Sequence, residues 1–157
     1  MAPPRTIATE DPGTPDLRAI LEGHLALMRS ISPPESVHAL DLEGLRGPAI
    51  TFVALREGGT ALGVGALKRL DVQLAHGEIK SMHTLAARRR DGAGAAVLDH
   101  LIDLARAEGL SRLSLETGST EPFRPAQALY RSRGFEPCGP FADYPEHPFS
   151  AFMTRTI

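Results

Sequence analysis

The stretch from residue 95 to residue 108 constrains the fold of this chain more than any other part of the sequence. Apolar residues recur there at helical spacing, and Gly109 follows where a helix-ending glycine is favoured. A β-rich segment stands on each side, at 78–85 and at 113–117. A strand, a helix and another strand in this order form a crossover between parallel strands of one sheet. The second half of the chain is therefore predicted to contain such a parallel pair.

The other elements follow from apolar periodicity and from turn-forming residues. The sequence predicts, in order, a strand at 6–9, a helix through 17–28, a short helix between 32 and 47, a hairpin of strands at 50–55 and 61–70, a strand at 78–85, the helix at 95–108, a strand at 113–117, a helix at 125–133, and strands at 135–138 and 150–154. We therefore expect one α/β (α+β) domain over residues 1–157, with a mixed, mostly antiparallel sheet and helices on both of its faces.

Length, charge and cysteine content narrow the class of protein. With 157 residues, of which 42% are hydrophobic, the chain can bury one sizeable core without disulfides. The 17 basic and 19 acidic residues leave a formal net charge of -2, which disfavours general binding to nucleic acid or anionic lipid. No apolar run approaches the roughly 20 residues that span a bilayer, the first residues lack the pattern of a signal peptide, and Cys138 is the only cysteine. We expect a soluble, cytoplasmic protein with neither a nucleic-acid nor a membrane partner.

A basic, glycine-containing segment joins the predicted strand at 78–85 to the strong helix. It reads Arg89-Arg90-Asp91-Gly92-Ala93-Gly94. At the start of a helix the backbone N–H groups are free and the helix dipole is positive, so this position suits a phosphate group. Glycines let the backbone approach a bulky anion closely. The alternative is that the glycines only shape a turn and that the two arginines are solvated.

Two familiar phosphate-binding patterns do not match this segment. A P-loop requires Gly-Lys-Ser/Thr, which does not follow Gly94. The dinucleotide fingerprint requires a third glycine, and Val97 occupies that position. A nucleotide-binding regulatory domain is therefore the weaker hypothesis for the same glycines.

The segment resembles the acetyl-CoA loop of the GNAT family of N-acetyltransferases, whose pattern is Gln/Arg-x-x-Gly-x-Gly/Ala. A second segment, Leu129-Tyr130-Arg131-Ser132-Arg133-Gly134-Phe135, is similar to that family's Leu-Tyr-x-x-x-Gly-Phe. The predicted order of elements is also that of the family, so the resemblance covers nearly the whole chain. It implies an enzyme that transfers an acetyl group from acetyl-CoA to a primary amine in one ternary complex. An inactive CoA-binding sensor is the alternative, and Asp91, an acid in a loop that accepts a diphosphate, is its only hint.

The resemblance also implies a donor site. Main-chain groups of Met82, His83 and Thr84 would pair with the pantetheine arm as an added strand does. The loop and the start of the helix would hold the pyrophosphate, through Arg89, Arg90, Asp91, Gly92, Ala93, Gly94 and Ala95. A main-chain N–H of the same strand, from Thr84 or Leu85, would polarise the thioester carbonyl.

Two side chains are candidates for proton transfer. By resemblance, Tyr130 would lie near the CoA sulfur and protonate the departing thiolate. Glu78 precedes Arg89 by eleven residues, a separation like that between the glutamate base and the loop in family members that use one. Glu78 is therefore the candidate base, and its alternative is a solvated carboxylate beside Lys80.

The acceptor side is less clearly marked in the sequence. Glu116, near the end of a predicted strand, is a candidate substrate contact or part of a capped turn. His24 and His38 lie on the first two predicted helices, which the resemblance puts on the acceptor side, although most such histidines only border the core. Phe141 and Tyr144 belong to a rigid, proline-containing loop that would wall the acceptor or make a contact in a homodimer.

No metal and no covalent acyl-enzyme are expected. The six histidines form no H-x-H or H-x-x-x-H pair, and no His and Asp pattern points to Cys138 as a nucleophile. A lone cysteine near a strand is more often a small buried hydrophobe. Acetyl-CoA is accordingly the only cofactor that the sequence predicts, and the identity of the acceptor amine is left open.

Overall fold

The structure, a computed structural model, describes residues 3–38, 40–85 and 91–157. Its strands and helices are β1 (Arg5–Thr9), α1 (Pro15–Ile31), α2 (Leu42–Leu45), β2 (Ile50–Glu57), β3 (Thr60–Asp71), β4 (His76–Thr84), α3 (Ala93–Ala107), β5 (Arg112–Gly118), α4 (Arg124–Ser132), β6 (Glu136–Cys138) and β7 (Ser150–Thr156). Short 3-10 turns occur at Pro34–Ser36 and Glu121–Phe123. Among the described helices, none combines the length and the apolar character needed to cross a bilayer.

One seven-stranded sheet runs through the chain in the order β1-β2-β3-β4-β5-β7-β6. Neighbouring strands are antiparallel except β4 and β5, which are parallel and are connected by α3, as the crossover pattern in the sequence predicts. The parallel pairing is short, since it runs only from His76 opposite Arg112 to Glu78 opposite Ser114. Beyond Glu78 the two strands separate, and the gap between them positions the site.

Helices cover both faces of the sheet, which confirms the predicted mixed α/β class. Alternate residues of β2 point to opposite faces: Val53 and Leu55 join the core under α3, whereas Phe52 and Ala54 join the core under α1. Fully burying a side chain of this size contributes about 2 kcal/mol. Each face of the sheet is therefore fixed to its helix by a core of its own.

The helix α3 approaches β3 very closely at one glycine. A Cβ at Gly65 would lie 2.8 Å from Val97 Cγ1 and 2.9 Å from Met82 Sδ. A larger residue there would push α3 away from the sheet. Gly65 therefore sets how closely α3 packs on β3.

The short helix predicted between residues 32 and 47 is wrong as a continuous element. The structure has a 3-10 turn at Pro34–Ser36, extended backbone at Val37, and a single helical turn at Leu42–Leu45. Asp41 caps that turn by accepting a hydrogen bond from the Gly44 N–H at 2.9 Å. Aspartate and glycine within the stretch favour caps and turns over a continuous helix. The order of elements is unchanged, because α2 still precedes β2.

Candidate active site

A cavity of about 620 Å³ occupies the gap between the diverging ends of β4 and β5, with further walls from α1, α4 and the start of α3. Its lining includes most of the residues that the sequence singles out: His24, Glu78, Met82, His83, Thr84, Gly92, Gly94, Ala95, Glu116, Tyr130 and Tyr144. Three others, Asp91, Ala93 and Phe141, are not part of the lining. Arg89 and Arg90 lie outside the described residues.

The start of α3 forms one end of the cavity. Gly92 has a φ of +90°, and α3 begins directly after it. A hydrogen bond from the Ala96 N–H to the Gly92 carbonyl, at 3.0 Å, belongs to the first turn of the helix. The N–H groups of Gly94 and Ala95 therefore have no acceptor inside the helix, and both residues line the cavity. Amides in this arrangement suit a phosphate group.

Asp91, the acidic residue of the predicted phosphate loop, is paired with the edge strand β1. Its Oδ2 lies 3.0 Å from Arg5 Nη2, and Arg5 Nη1 donates to the Asp91 carbonyl at 3.1 Å. Its Oδ1 accepts a hydrogen bond from the Ala93 N–H at 3.3 Å. The carboxylate is thus offset by an arginine and holds the first turn of α3, so its presence gives no support to an inactive domain.

The strand β4 has a bulge at the cavity wall. Two residues of β4, Ser81 and Met82, stand opposite the single residue Gly65 of β3, and Ser81 has a φ of +56°. Such a bulge interrupts the ladder of backbone hydrogen bonds between strands. The Leu85 N–H donates to the Leu62 carbonyl at 2.7 Å. The prediction that Leu85 polarises the thioester is therefore wrong, because this donor is already used.

Glu78, Lys80 and Tyr144 form a buried polar cluster in the cavity wall. Glu78 is 2% exposed, and its Oε2 accepts hydrogen bonds from Lys80 Nζ, at 3.2 Å, and from the Tyr144 hydroxyl. Lys80 Nζ also donates to the Tyr144 hydroxyl oxygen at 2.6 Å. Glu78 is beside Lys80 but is buried rather than solvated. The sequence analysis does not assign Lys80 a role, although residues two apart on a strand share a face.

Tyr144 belongs to the loop between β6 and β7. Burial, and next the Glu78 carboxylate, raise the pKa of the Tyr144 phenol above its ordinary range. Its ring packs edge-on against His38, with ring centroids 4.9 Å apart. Phe141 packs against the Tyr144 ring, at 5.1 Å between centroids, and against Phe152 at 5.9 Å. The structure therefore places Tyr144 in the cavity wall and Phe141 in the layer that supports it.

Glu116 and Tyr130 approach the cavity from β5 and α4. Burial raises the pKa of the Glu116 carboxyl to about 7, so this group titrates near neutral pH. Tyr130 is 6% exposed and packs edge-on against Phe135, at 6.0 Å between ring centroids. Burial, followed by the charge of Glu116, raises the pKa of the Tyr130 hydroxyl above its ordinary range. Both residues line the cavity.

Two histidines meet on the cavity wall where α1 crosses β4. His24 Nδ1 and His83 Nδ1 are 3.1 Å apart, so one ring donates its hydrogen and the other accepts it. Burial, and then His83, lower the pKa of His24 to about 4, which keeps this imidazole neutral near pH 7. The sequence singles out His83 only for its main chain, so its side-chain contact with His24 is a feature that the sequence analysis missed. Within the described part of the chain, no group of three or more His, Cys, Asp or Glu side chains is arranged to hold a metal.

Similarity to known proteins identifies the family. Residues 17–135 match the acetyltransferase (GNAT) family. The chain belongs to the GNAT family. It is 53% identical over 139 residues to the uncharacterized N-acetyltransferase YsnE of Bacillus subtilis (strain 168), which covers 88% of this chain and 91% of the relative. It is 43% identical over 152 residues to the uncharacterized N-acetyltransferase YedL of Escherichia coli (strain K12), which covers 97% of this chain and 94% of the relative.

The GNAT fold is also found by comparison of structures. An acetyltransferase of the GNAT family from Staphylococcus aureus Mu50 superposes with a TM-score of 0.74, over 98% of this chain and 99% of that chain, at 18% identity. The 157-residue chain is therefore an N-acetyltransferase that uses acetyl-CoA, and the acceptor of its acetyl group is an amine. The hypothesis of a nucleotide-binding regulatory domain is therefore wrong.

Proposed function

We propose that this GNAT enzyme transfers the acetyl group directly from acetyl-CoA to a primary amine, with both substrates bound in the cavity between β4 and β5. The observation that carries the proposal is that Glu116 and Tyr130 line the same cavity as the start of α3. A proton acceptor and a phenol in one place suit the two proton transfers of the reaction. Cys138, which is among the described residues, does not line the cavity, and this supports direct attack over an acyl-enzyme.

Glu116 is the group best suited to take a proton from the acceptor. An alkyl ammonium group has a pKa of about 10, so the amine must be deprotonated before it attacks. A base is most effective when its pKa lies near the operating pH, and burial brings the pKa of Glu116 to about 7. Glu78 is the base that the sequence predicts, yet its Oε2 is already bonded to Lys80 and Tyr144. We therefore assign the proton transfer to Glu116 and keep Glu78 as the competing assignment.

Tyr130 is assigned as the acid that protonates the leaving sulfur. The amine nitrogen attacks the thioester carbonyl carbon with its lone pair, the carbon–sulfur bond breaks, and the sulfur leaves with the bonding electrons. Tyr130 gives its proton to that sulfur, and the second proton lost by the nitrogen restores the phenol. The raised pKa keeps the Tyr130 hydroxyl protonated until this step, and the buried surroundings favour a neutral thiol over a thiolate. The products are the amide, the CoA thiol and one proton that Glu116 passes to solvent.

The donor-binding assignments rest on backbone geometry. Past Glu78, in the described part of the chain, β5 no longer pairs with β4. Pairing with the pantetheine arm, as with an added strand, is assigned to Met82, His83 and Thr84 on this edge of β4, and Thr84 stays the predicted donor to the thioester carbonyl. The pyrophosphate is assigned to the loop and the first turn of α3, through Arg89, Arg90, Asp91, Gly92, Ala93, Gly94 and Ala95.

The acceptor amine is assigned to the part of the cavity under α1 and the loop between β6 and β7. Glu116, His24 and Tyr144 all line the cavity. Phe141 contributes indirectly, because its ring supports that of Tyr144. With this assignment, the acceptor nitrogen is bound on the same cavity wall as the proposed base.

A thermal-shift titration with acetyl-CoA, CoA, ATP and NAD tests the donor site first. A ligand that binds only the folded state raises its apparent stability by mass action. We expect shifts with acetyl-CoA and CoA and none with ATP or NAD, followed by release of the CoA thiol when a primary amine is added. A shift with ATP or NAD alone, or with none of the four, would contradict the assignment of this cavity.

The pH dependence of transfer distinguishes Glu116 from Glu78. With Glu116 as the base, kcat/KM of the wild-type enzyme has an inflection near pH 7, because the ionised carboxylate is the active form. Glu116→Gln is expected to lower kcat about 100-fold and to abolish this inflection, whereas Glu78→Gln retains it. Retention of the inflection in Glu116→Gln and its loss in Glu78→Gln would make Glu78 the base.

A further inference from the structure

The apolar face of α1 extends beyond the core that covers it. Three residues of its first half, between 17 and 21, are buried in the core on that side of the sheet. Leu27, Met28 and Ile31 continue the face at helical spacing, yet each of them is only half-buried and lines the cavity. Val37, after the 3-10 turn that follows α1, is also half-buried and lines the cavity. These four residues form an apolar wall.

The apolar wall and the start of α3 lie on opposite faces of the sheet. The core under α3 includes Ala93, the first residue of that helix, whereas the core under α1 is a separate cluster. The cavity reaches both faces, because β4 and β5 diverge beyond Glu78. With the pyrophosphate assigned to the start of α3, the apolar wall borders the half of the cavity that is left for the acceptor.

The proposed base belongs to the same half of the cavity as the apolar wall. Leu113 and Leu115 of β5 are buried in the core under α3, and the pairing of β5 with β7 is continuous along the strand. Successive side chains of a strand point to opposite faces of a sheet, so the Glu116 side chain points to the face of α1. One molecule can therefore place its nitrogen at Glu116 and its organic group against the apolar wall.

The charged and hydrogen-bonding side chains beside the apolar wall are bonded to one another. Glu78 and Lys80 form an ion pair at 3.2 Å, and the Tyr144 hydroxyl is hydrogen-bonded to both. His24 Nδ1 lies 3.1 Å from His83 Nδ1. Lys80 is also the only Lys or Arg among the described residues that line the cavity. The described wall therefore offers an anionic group of the acceptor no cation that is not already paired.

We infer that the acceptor is a primary amine with an apolar body, an alkyl or aryl group that binds against Leu27, Met28, Ile31 and Val37. This inference rests on the proposed function and names the substrate class of the same site. On binding, the apolar body and the apolar wall are both removed from water, which is favourable roughly in proportion to the apolar area buried. The amine end meets Glu116, whose carboxylate accepts its proton.

Amines with a polar far end fit this half of the cavity less well. A carboxylate, as in an amino acid, would lose its hydration against the apolar wall without gaining an unpaired cation. A second ammonium would lose its hydration in the same way, because the Glu78 carboxylate is already paired with Lys80. A hydroxyl would lose hydrogen bonds to water that apolar side chains do not replace.

A series of straight-chain amines from propylamine to hexylamine tests the inference. Primary alkylamines have nearly the same pKa, about 10, so differences within the series report binding of the chain and not basicity. Release of the CoA thiol gives kcat/KM for each amine with acetyl-CoA at saturation. We expect kcat/KM to rise about fourfold for each methylene, and about 60-fold from propylamine to hexylamine.

Three amines of the length of hexylamine test the far end: aminopentanol, diaminopentane and aminopentanoate. Hexylamine should exceed all three in kcat/KM, and the two charged amines should be the poorest. Equal values along the alkyl series, or preference for a polar far end, would overturn the inference while leaving acetyl transfer itself intact. Release of the thiol with none of the amines would overturn both.

Two leucines of α1 provide a matched pair of variants. Leu27 lines the cavity, whereas Leu25, on the same helix and also half-buried, does not. Leu27→Gln is expected to lower the ratio of kcat/KM for hexylamine over propylamine about tenfold, the effect of one or two methylenes that lose an apolar contact. Leu25→Gln should leave this ratio unchanged.

A thermal shift with CoA checks that each variant is folded and keeps its donor site. Met28→Gln is the second variant of the apolar wall, in case Leu27→Gln does not fold, and the same fall in the ratio is expected. If Leu25→Gln lowered the ratio as much as a variant of the apolar wall, disturbance of α1 would explain the result, and the inference would be refuted.

Discussion

Replacing Glu116 by glutamine is expected to stabilise the folded protein at alkaline pH while it lowers activity. The pKa of this carboxyl is about 7 in the folded protein against an ordinary value of 4.5, chiefly because of burial. The folded state therefore binds the proton more tightly than the unfolded state does. By linkage, this group favours folding fully below about pH 4.5, and its contribution is lost as the pH rises through about 7.

The size of the effect follows from the two pKa values. The gap between 4.5 and about 7 corresponds to about 3 kcal/mol, at 1.4 kcal/mol for each tenfold change in proton affinity. Glu116 keeps partial contact with solvent through the cavity, and screening reduces the effect to about 2 kcal/mol. Glutamine does not titrate, so Glu116→Gln lacks this loss of stability.

Urea unfolding of the wild type and of Glu116→Gln near pH 5 and near pH 8 measures the effect. Between these two conditions, the free energy of unfolding of the wild type should fall by about 2 kcal/mol relative to that of the variant. Glu121→Gln is the matched control, because the Glu121 side chain is 75% exposed and its pair with Arg124 lies at the surface. If the free energy of unfolding differed between wild type and Glu116→Gln by the same amount at both pH values, the argument from burial would be refuted.

Three further substitutions test the cluster, the phenol and the packing beneath the site. Tyr130→Phe should lower kcat about 100-fold and keep the thermal shift with CoA; unchanged turnover would exclude Tyr130 as the acid. Glu78→Gln leaves the Lys80 ammonium buried without its carboxylate. It should lower the free energy of unfolding, measured by urea titration, by about 3 kcal/mol. A loss below about 1 kcal/mol would mean that this ion pair is solvated in the folded protein. Gly118→Ala places a Cβ 2.0 Å from the Phe123 ring, whereas a Cβ at Gly139 meets nothing within 4 Å. Gly118→Ala should therefore lower the free energy of unfolding by about 2 kcal/mol in the same titration, with Gly139→Ala as the control. Equal stability of the two variants would contradict this packing.

The sequence predicted the fold best where local patterns decide the structure. The helix expected at 95–108 is found at Ala93–Ala107, because its apolar period and the glycine after it act within one element. The prediction of a continuous helix between 32 and 47 was wrong for a related reason. Its apolar residues Val37, Leu40 and Leu45 are widely spaced, and of these only Leu45 is buried. Local spacing could not distinguish a helix from two separate turns that each contribute one contact.

The candidate site was less predictable, because its partners come from distant parts of the chain. Tyr144 is 66 residues from Glu78, yet the two share a hydrogen bond, and no periodic pattern relates positions so far apart. The pKa of Glu116 depends on what buries it, which the residues beside it do not reveal. Lys80 shows the consequence most clearly. The sequence analysis assigns it no role, whereas in the fold its donors are directed to Glu78, Tyr144 and the His38 carbonyl. Residue type thus predicts which groups lie near the reaction, and the partners supplied by other elements decide which of them remain free to bind the acceptor.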